Sequence, residues 1–273
     1  MITLDQFETM LRTGGYETLP ECRPAHALPR GFRAWWRFYV SGVFGTILSR
    51  EAADLRRDHT QRAFSAMSFR IIRSVESTGA TVSVEGTANL SQGGAEPCVF
   101  VANHSSLLET FHLPCILGTF GPLTIVAKRS LSKYPLFGKC LKAVYPILLE
   151  RKSARHDLAE TLAQGKRHLE NGRSVLLFPQ GTRAAIFDPR KFNSLGAKLA
   201  REAGVPLVPI ACKTDFAVPG RLVKDIGPID PSKPVRYAIG PVLAPSLPQS
   251  ELQKACTDFI SQTLERWESR NGQ

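Results

Sequence analysis

A histidine and a glutamate stand five residues apart in the stretch NHSSLLE, residues 103–109. This stretch directly follows a short apolar run, residues 98–102, that predicts a β-strand. His104 therefore lies where a strand gives way to a helix, a place where exposed loops and free helix N–H groups collect ligands. Because histidine exchanges protons near neutral pH, the stretch is a candidate site for acid–base chemistry.

A second turn, FPQGTR at residues 178–183, follows the apolar run at residues 174–178 in the same way. Gly181 allows close approach of a ligand to the backbone, and the guanidinium of Arg183 offers two parallel donors that suit phosphate. Gly181, Thr182 and Arg183 are thus candidate substrate-binding residues. An ordinary surface role for Arg183 is the alternative.

A basic segment begins in the third turn, residues 127–138, and contains one acidic residue, Glu150. Its cations are Lys128, Arg129, Lys133, Lys139, Lys142, Arg151, Lys152 and Arg155. This composition favours recognition of an anion, and Lys128 and Arg129 are the candidate substrate-binding residues. A solvated or membrane-facing patch explains the same charges.

Strand and helix patterns alternate from about residue 80 to the end of the chain. Seven short apolar or β-branched runs predict strands: residues 81–84, 98–102, 123–127, 144–149, 174–178, 207–212 and 235–239. Amphipathic helices are predicted between them, one carrying Leu158, Leu162 and Leu169. The pattern predicts an α/β domain over residues 80–273, with a mixed, largely parallel sheet flanked by helices.

Residues 1–79 differ from the rest of the chain in composition and lack its alternating strand and helix patterns. Residues 1–33 are polar and rich in Gly and Pro, which predicts an irregular or loosely packed leader without a signal peptide. Residues 34–48 are the most apolar stretch, yet too short for the roughly 20 residues that cross a bilayer. Trp35 and Trp36 beside Arg37 predict a helix that lies in the membrane interface. A buried first helix is the alternative.

Composition and charge narrow the class of protein. The chain has 273 residues, of which 43% are hydrophobic and 22% charged, which excludes disorder and a multi-span membrane protein. The net charge of +11 favours an anionic partner, whether a phospholipid surface, a phosphorylated substrate or nucleic acid. The six cysteines form no CxxC pair, so neither a zinc site nor a disulfide framework is indicated, and a reducing compartment fits.

The three turns and a fourth stretch, VPLVPIA at residues 205–211, resemble in order the four motif blocks of the glycerolipid acyltransferases of the lysophosphatidic acid acyltransferase type. Residues 103–109 resemble the NHxSxxD block, residues 127–138 the lysine-to-proline-glycine block, and residues 178–183 the FPEGTR block. The resemblance covers roughly residues 80–215. Glu109 stands where the family has Asp, Gln180 where it has Glu, and Ser130 where Glu is common.

This resemblance implies transfer of a fatty acyl group from a thioester, on coenzyme A or acyl carrier protein, to the hydroxyl of a lysophospholipid. His104 would be the general base, and Glu109 would fix its tautomer and stabilise the imidazolium. Thiolate leaves readily, so we expect no cofactor or metal. The implied partner is a membrane phospholipid surface at the cytoplasmic face, bound in a monotopic or peripheral manner, and not nucleic acid.

Some interpretations stay open at this level. Ser106 and Glu109 also fit a helix capping box, in which the serine oxygen accepts from the N–H of residue 109 and the glutamate from the N–H of residue 106. Gln180 and Ser130 leave room for another acceptor, such as a lyso-aminolipid, beside 1-acylglycerol-3-phosphate.

The prolines of the VPLVPIA stretch, Pro206 and Pro209, predict an edge strand that shapes the acyl groove. A basic module that binds anionic lipid or nucleic acid is the alternative of another class.

Overall fold

The computed structural model describes residues 2–58, 60–91, 96–133, 137–150, 153–220, 223 and 225–271. The strands are β1 (Tyr16–Glu17), β2 (Val82–Glu85), β3 (Val99–Ala102), β4 (Leu123–Lys128), β5 (Ile147–Leu149), β6 (Ser174–Leu177), β7 (Leu207–Lys213) and β8 (Val235–Ile239). The helices are α1 (Leu4–Thr13), α2 (Phe32–Trp35), α3 (Gly45–Ile47), α4 (Arg50–Asp58), α5 (Gln61–Glu76), α6 (Ala88–Ser91), α7 (Leu108–Gly118), α8 (Phe137–Leu141), α9 (Ala154–Glu170), α10 (Leu195–Ala203) and α11 (Gln249–Asn271). A π-helical stretch, Trp36–Phe44, joins α2 to α3, and 3₁₀ turns occur at Pro20–Cys22, Arg129–Lys133, Lys142–Val144 and Pro189–Lys191.

The strands form one sheet in the order β1-β2-β8-β7-β3-β6-β4-β5. β1 with β2 and β7 with β8 are antiparallel, and the other pairs among the described strands are parallel. The predicted mixed, largely parallel sheet flanked by helices is confirmed. All seven predicted strands form, and the run at residues 144–149 is shortened because Lys142–Val144 make a 3₁₀ turn before β5.

Both faces of the sheet are buried, as the apolar runs require. Successive residues of β3 point to opposite sides: Phe100 packs with α1, α5 and α7, whereas Val99 and Val101 pack with α9, α10 and α11. The helical layers on the two sides therefore fix the sheet from both faces. The loops that follow β3 and β6 leave the sheet at the carboxyl ends of these strands.

The prediction of an irregular segment over residues 1–33 is wrong for α1. Thr3 caps this helix in a capping box with Gln6, and Phe7 and Leu11 are completely buried in the core. The glycines follow the helix rather than interrupt it, and β1 then pairs with β2 at the edge of the sheet. One hydrophobic cluster contains residues from both sides of the predicted boundary at residue 79.

The apolar stretch at residues 34–48 is helical and has two faces. Phe38 and Tyr39 are buried against the core. Trp36, Phe44 and Leu48 are 50%, 41% and 74% exposed, and Phe32, just before the stretch, is 72% exposed. Among the described residues, none of the helices combines the length and the hydropathy needed to cross a membrane.

The predicted edge strand is wrong, because β7 lies between β3 and β8 inside the sheet. The antiparallel ladder with β8 begins at Ile210, one residue after Pro209, so the missing N–H of Pro209 leaves that ladder intact. The carbonyl of Pro209 accepts a hydrogen bond from the N–H of Gly240 at 2.8 Å. The VPLVPIA stretch therefore contributes to a strand in the interior of the sheet.

Candidate active site

The candidate site lies at the carboxyl ends of four neighbouring parallel strands, β7, β3, β6 and β4. The loops that follow parallel strands emerge at the same edge of a sheet. The NHSSLLE stretch after β3 and the FPQGTR turn after β6 therefore lie side by side. The carbonyl of His104 accepts a hydrogen bond from the N–H of Ala184 at 2.9 Å, which joins the two loops.

His104 and Glu109 are in direct contact, with 3.2 Å between His104 Nδ1 and Glu109 Oε2. Residues five apart on a regular helix point away from each other, but α7 begins at Leu108, so His104 precedes the helix. The imidazole stacks on the ring of Phe178 with 4.4 Å between ring centroids. With Nδ1 turned to the carboxylate, Nε2 is the nitrogen left to accept a proton.

Glu109 is completely buried and accepts several hydrogen bonds. Its carboxylate receives the N–H groups of Ser105 and Ser106, the Ser105 hydroxyl at 2.8 Å and the Thr214 hydroxyl. Burial raises the pKa of Glu109, but the hydrogen bond and charge of His104, with the hydroxyls of Thr214 and Ser105, outweigh it and lower that pKa overall. These donors hold a carboxylate, not a carboxylic acid, behind the imidazole.

Half of the expected capping box is present. The N–H of Ser106 donates to both carboxylate oxygens of Glu109, at 3.1 and 3.0 Å. The Ser106 hydroxyl accepts from the N–H of Leu108 at 3.0 Å instead of from residue 109. The Glu109 carboxylate thus contacts both the backbone at the start of α7 and the imidazole of His104.

Two amide side chains fix the loop that carries His104. The Asn103 amide exchanges two hydrogen bonds with the backbone of Cys212, at 2.8 and 2.7 Å, and so ties the end of β3 to β7. Gln180 Oε1 accepts from the N–H of His104 at 2.6 Å. A glutamate at position 180 would offer the same acceptor, so the glutamine preserves this contact.

A cavity of about 1150 Å³ opens beside His104. Its lining includes the apolar side chains of Ile125, Leu131, Leu149, Leu158, Leu177 and Leu195. Polar groups from the FPQGTR turn and from the end of β4 also line it. The cavity thus offers both apolar contacts for a long hydrocarbon chain and polar contacts for a charged headgroup.

The structure brings most of the predicted binding residues to this cavity. Lining residues include Lys128, Gly181, Thr182 and Arg183. Arg183 Nη1 lies 2.6 Å from Asp225 Oδ1, an acidic partner that the sequence patterns did not predict.

Arg129 is placed differently. Its guanidinium lies 2.6 Å from Glu150 and 3.2 Å from the carbonyl of Leu148, so it joins the ends of β4 and β5 and is not among the described residues that line the cavity. In the basic segment, residues 134–136, 151 and 152 and the side chain of Lys139 lie outside the described part of the chain.

Residues 81–213 match the family model described as Acyltransferase. These residues form an acyltransferase-family domain. The match begins one residue before β2 and ends with β7, so it contains the His104–Glu109 pair and the FPQGTR turn but not Thr214 or Asp225.

Curated relatives of this acyltransferase domain include a 1-acyl-sn-glycerol-3-phosphate acyltransferase of Pseudomonas aeruginosa, 38% identical over 133 residues, or 49% of each chain. A lyso-ornithine lipid O-acyltransferase of the same organism is 32% identical over 117 residues, 42% of this chain and 43% of that protein. The chain thus spans about half the length of the curated relatives it matches or less.

The fold of the acyltransferase domain and its N-terminal helices is similar to the crystal structure of the 1-acyl-sn-glycerophosphate (LPA) acyltransferase from Thermotoga maritima. The TM-score is 0.61 at 21% sequence identity, over 86% of this chain and 95% of that one. At this identity the likeness supports the fold.

Proposed function

We propose that this chain transfers a fatty acyl group from an acyl thioester, carried by coenzyme A or acyl carrier protein, to the hydroxyl of a lysolipid. The first candidate acceptor is 1-acylglycerol-3-phosphate, which would give phosphatidic acid. The observation that carries the proposal is the His104–Glu109 contact of 3.2 Å beside a cavity that both His104 and Arg183 line. The names of the curated relatives support the same acceptor.

The proposed reaction is one direct displacement. The acceptor hydroxyl oxygen attacks the thioester carbon while His104 Nε2 removes the hydroxyl proton. Glu109 stabilises the imidazolium that forms. The carbon–sulfur bond then breaks, and the thiolate leaves and takes the proton from His104. A good thiolate leaving group makes a metal or a covalent enzyme intermediate unnecessary.

Another lysolipid, such as a lyso-aminolipid, is the second candidate acceptor. Similarity to the lyso-ornithine lipid O-acyltransferase supports it, as do Gln180 and Ser130, which replace acidic residues of the family pattern. Ser130 lines the cavity, so its replacement changes the charge that an acceptor meets.

An acceptor panel tests the proposed function. The purified chain is incubated with radiolabelled acyl-CoA or acyl carrier protein and each of several lysolipids, and doubly acylated lipid is separated by chromatography. We expect product with at least one phosphate-bearing or amino-bearing lysolipid. Absence of transfer to every lysolipid from both donors would refute the proposal.

Replacing Arg183 by lysine is expected to raise the KM for 1-acylglycerol-3-phosphate at least about tenfold, because lysine keeps the charge but loses the two-point contact with phosphate. The KM for the acyl thioester should change by less than about twofold. Initial rates at varied acceptor and varied donor measure both. Arg190→Lys is the matched control, since Arg190 pairs with Asp188 and is not among the cavity-lining residues. Equal changes in both KM values would assign the phosphate to another cation.

We further propose that the chain is membrane-associated, at the cytoplasmic face, through the exposed side of the helical stretch at residues 32–48. Phe32, Trp36 and Leu48 are the most exposed large apolar side chains of that stretch, and Phe44 is exposed as well. Both the acceptor and the product reside in a bilayer, and a helix that lies in the interface brings the cavity to them. The free, buried cysteines are consistent with a reducing compartment.

Replacing Phe32, Trp36 and Leu48 together by serine should weaken binding to anionic vesicles at least about a hundredfold. Each large apolar side chain contributes roughly 1.5–3 kcal/mol when fully removed from water. Sedimentation with liposomes at high salt measures this, because salt screens the contribution of the net positive charge. The control is Val242→Ser, an exposed apolar position after β8. Equal sedimentation of the triple variant and the parent would refute membrane contact through this surface.

A further inference from the structure

The predicted anion-binding arginine is already paired with a carboxylate inside the cavity. Arg183 Nη1 lies 2.6 Å from Asp225 Oδ1, and both residues line the cavity beside His104. The Arg183 side chain is 19% exposed and that of Asp225 38%, so an acceptor headgroup can reach both. A headgroup that binds Arg183 must therefore also meet the charge of Asp225.

The charge of the cavity differs from that of the chain. The chain carries a net charge of +11. Among the described residues that line the cavity, besides His104, the charged side chains are Lys128, Arg183, Lys198, Asp157 and Asp225. The cavity is therefore nearly balanced in charge, although the chain is basic. A strongly basic pocket would suit a phosphate monoester better than this one does.

Asp225 belongs to a loop that is fixed at its base. Ala217 and Ile229 pair as an isolated antiparallel bridge. The N–H of Gly227 donates to the hydroxyl of the buried Tyr39 at 3.1 Å. A Cβ on Gly227 would lie 2.0 Å from the carbonyl oxygen of Val218, so only glycine permits this close crossing of the loop. The fold thus presents the Asp225 carboxylate to the cavity.

We propose that Asp225 determines the charge selectivity for the acceptor. Its carboxylate binds an ammonium group of a zwitterionic lysolipid headgroup whose anionic group binds Arg183, and it opposes a phosphate monoester without such a cation. Near neutral pH a phosphate monoester carries between one and two negative charges, so it is repelled by Asp225 and must compete with it for Arg183. A zwitterionic headgroup satisfies both partners of the ion pair. This inference rests on the proposed acyl transfer to a lysolipid.

The test compares two acceptors in the parent and in Asp225→Asn. The acceptors are a lyso-ornithine lipid, which is zwitterionic, and 1-acylglycerol-3-phosphate, with one acyl chain length and one thioester donor. We expect the ratio of kcat/KM for the phosphate acceptor to that for the zwitterionic acceptor to rise at least tenfold in the variant. The change should come from the two acceptor KM values in opposite directions. Asp188→Asn is the control, because Asp188 pairs with Arg190 and is not among the cavity-lining residues, and it should leave the ratio unchanged.

Several outcomes would overturn the inference. An unchanged ratio in a folded variant, or an equal loss with both acceptors, would mean that Asp225 only holds Arg183 in place. If Asp225→Asn does not fold, Asp225→Ser removes the same charge and gives the same readout. Transfer to neither acceptor by the parent would overturn the inference, and it would refute the proposed function as well only if every lysolipid of the acceptor panel also failed with both donors. Transfer with a constant ratio would refute only the role of Asp225.

Discussion

His104→Ala is expected to lower kcat for acyl transfer at least about a thousandfold, the largest effect of any single substitution in this chain. A positioned general base contributes about 10² to 10⁴ in rate, and His104 is the imidazole that faces the cavity with a carboxylate behind it. Rates with saturating thioester and acceptor, measured by release of free thiol, give kcat directly. Acceptor binding should persist, because the imidazole is not one of the groups assigned to the headgroup.

His156→Ala is the matched control for that experiment. His156 lies on the exposed surface of α9 and is not among the residues that line the cavity. Its replacement should leave both kcat and melting temperature near those of the parent. A purified His104→Ala protein with turnover close to the parent would exclude the proposed base.

Glu109→Gln is expected to reduce kcat at least about a hundredfold. The carboxylate accepts from His104 Nδ1, which leaves Nε2 free of a proton. An amide has one accepting oxygen, and the buried donors of Ser105, Ser106 and Thr214 compete for it. If the amide N–H₂ group then faces Nδ1, the imidazole must carry its proton on Nε2 and cannot act as a base. The amide also lacks the charge that stabilises imidazolium.

The same variant should be less stable at neutral pH, because a buried donor left without an acceptor costs about 1–3 kcal/mol. The lowered pKa of Glu109 means that its ionised form stabilises the fold above its ordinary pKa of 4.5, and that this stabilisation is lost as pH falls through the lower folded value. The stability gap between parent and variant should therefore narrow below about pH 4.5. Thermal unfolding over a pH series measures it, with Glu170→Gln, at the exposed end of α9, as the control. Normal turnover in folded Glu109→Gln would leave only the capping role.

Much of the architecture could be predicted from local patterns. The strands that bury both faces have uninterrupted apolar runs, and β3 and β6 were predicted to within a residue at each end. The His104–Glu109 contact also follows from local order, because both residues flank the start of one helix. Such features depend on residues that are close in the chain.

The remaining features depend on contacts between distant segments. Thr214 and Cys212 meet Glu109 and Asn103 only because β7 lies beside β3, and sheet order is not encoded in any single stretch. The pairing of Arg183 with Asp225 arises in the same way. Helix α1 had local signals, its capping box and the spacing of its buried residues, but the glycines and prolines after it outweighed them in the prediction.

The position of β2 between β1 and β8 has a consequence for folding during synthesis on the ribosome. Val82 pairs with Val235, and the Asn89 side chain donates to the carbonyl of Ile239, a residue 150 positions later. At about 5–20 residues per second, synthesis of that interval takes roughly 8–30 s. Until β8 emerges, the edge of β2 that faces β8 has no strand to pair with, so β2 is made before most of the sheet but completes its pairing late. A translation pause before residue 235 would prolong the time for which this edge of β2 is unpaired. We expect such a pause to increase aggregation of the nascent chain.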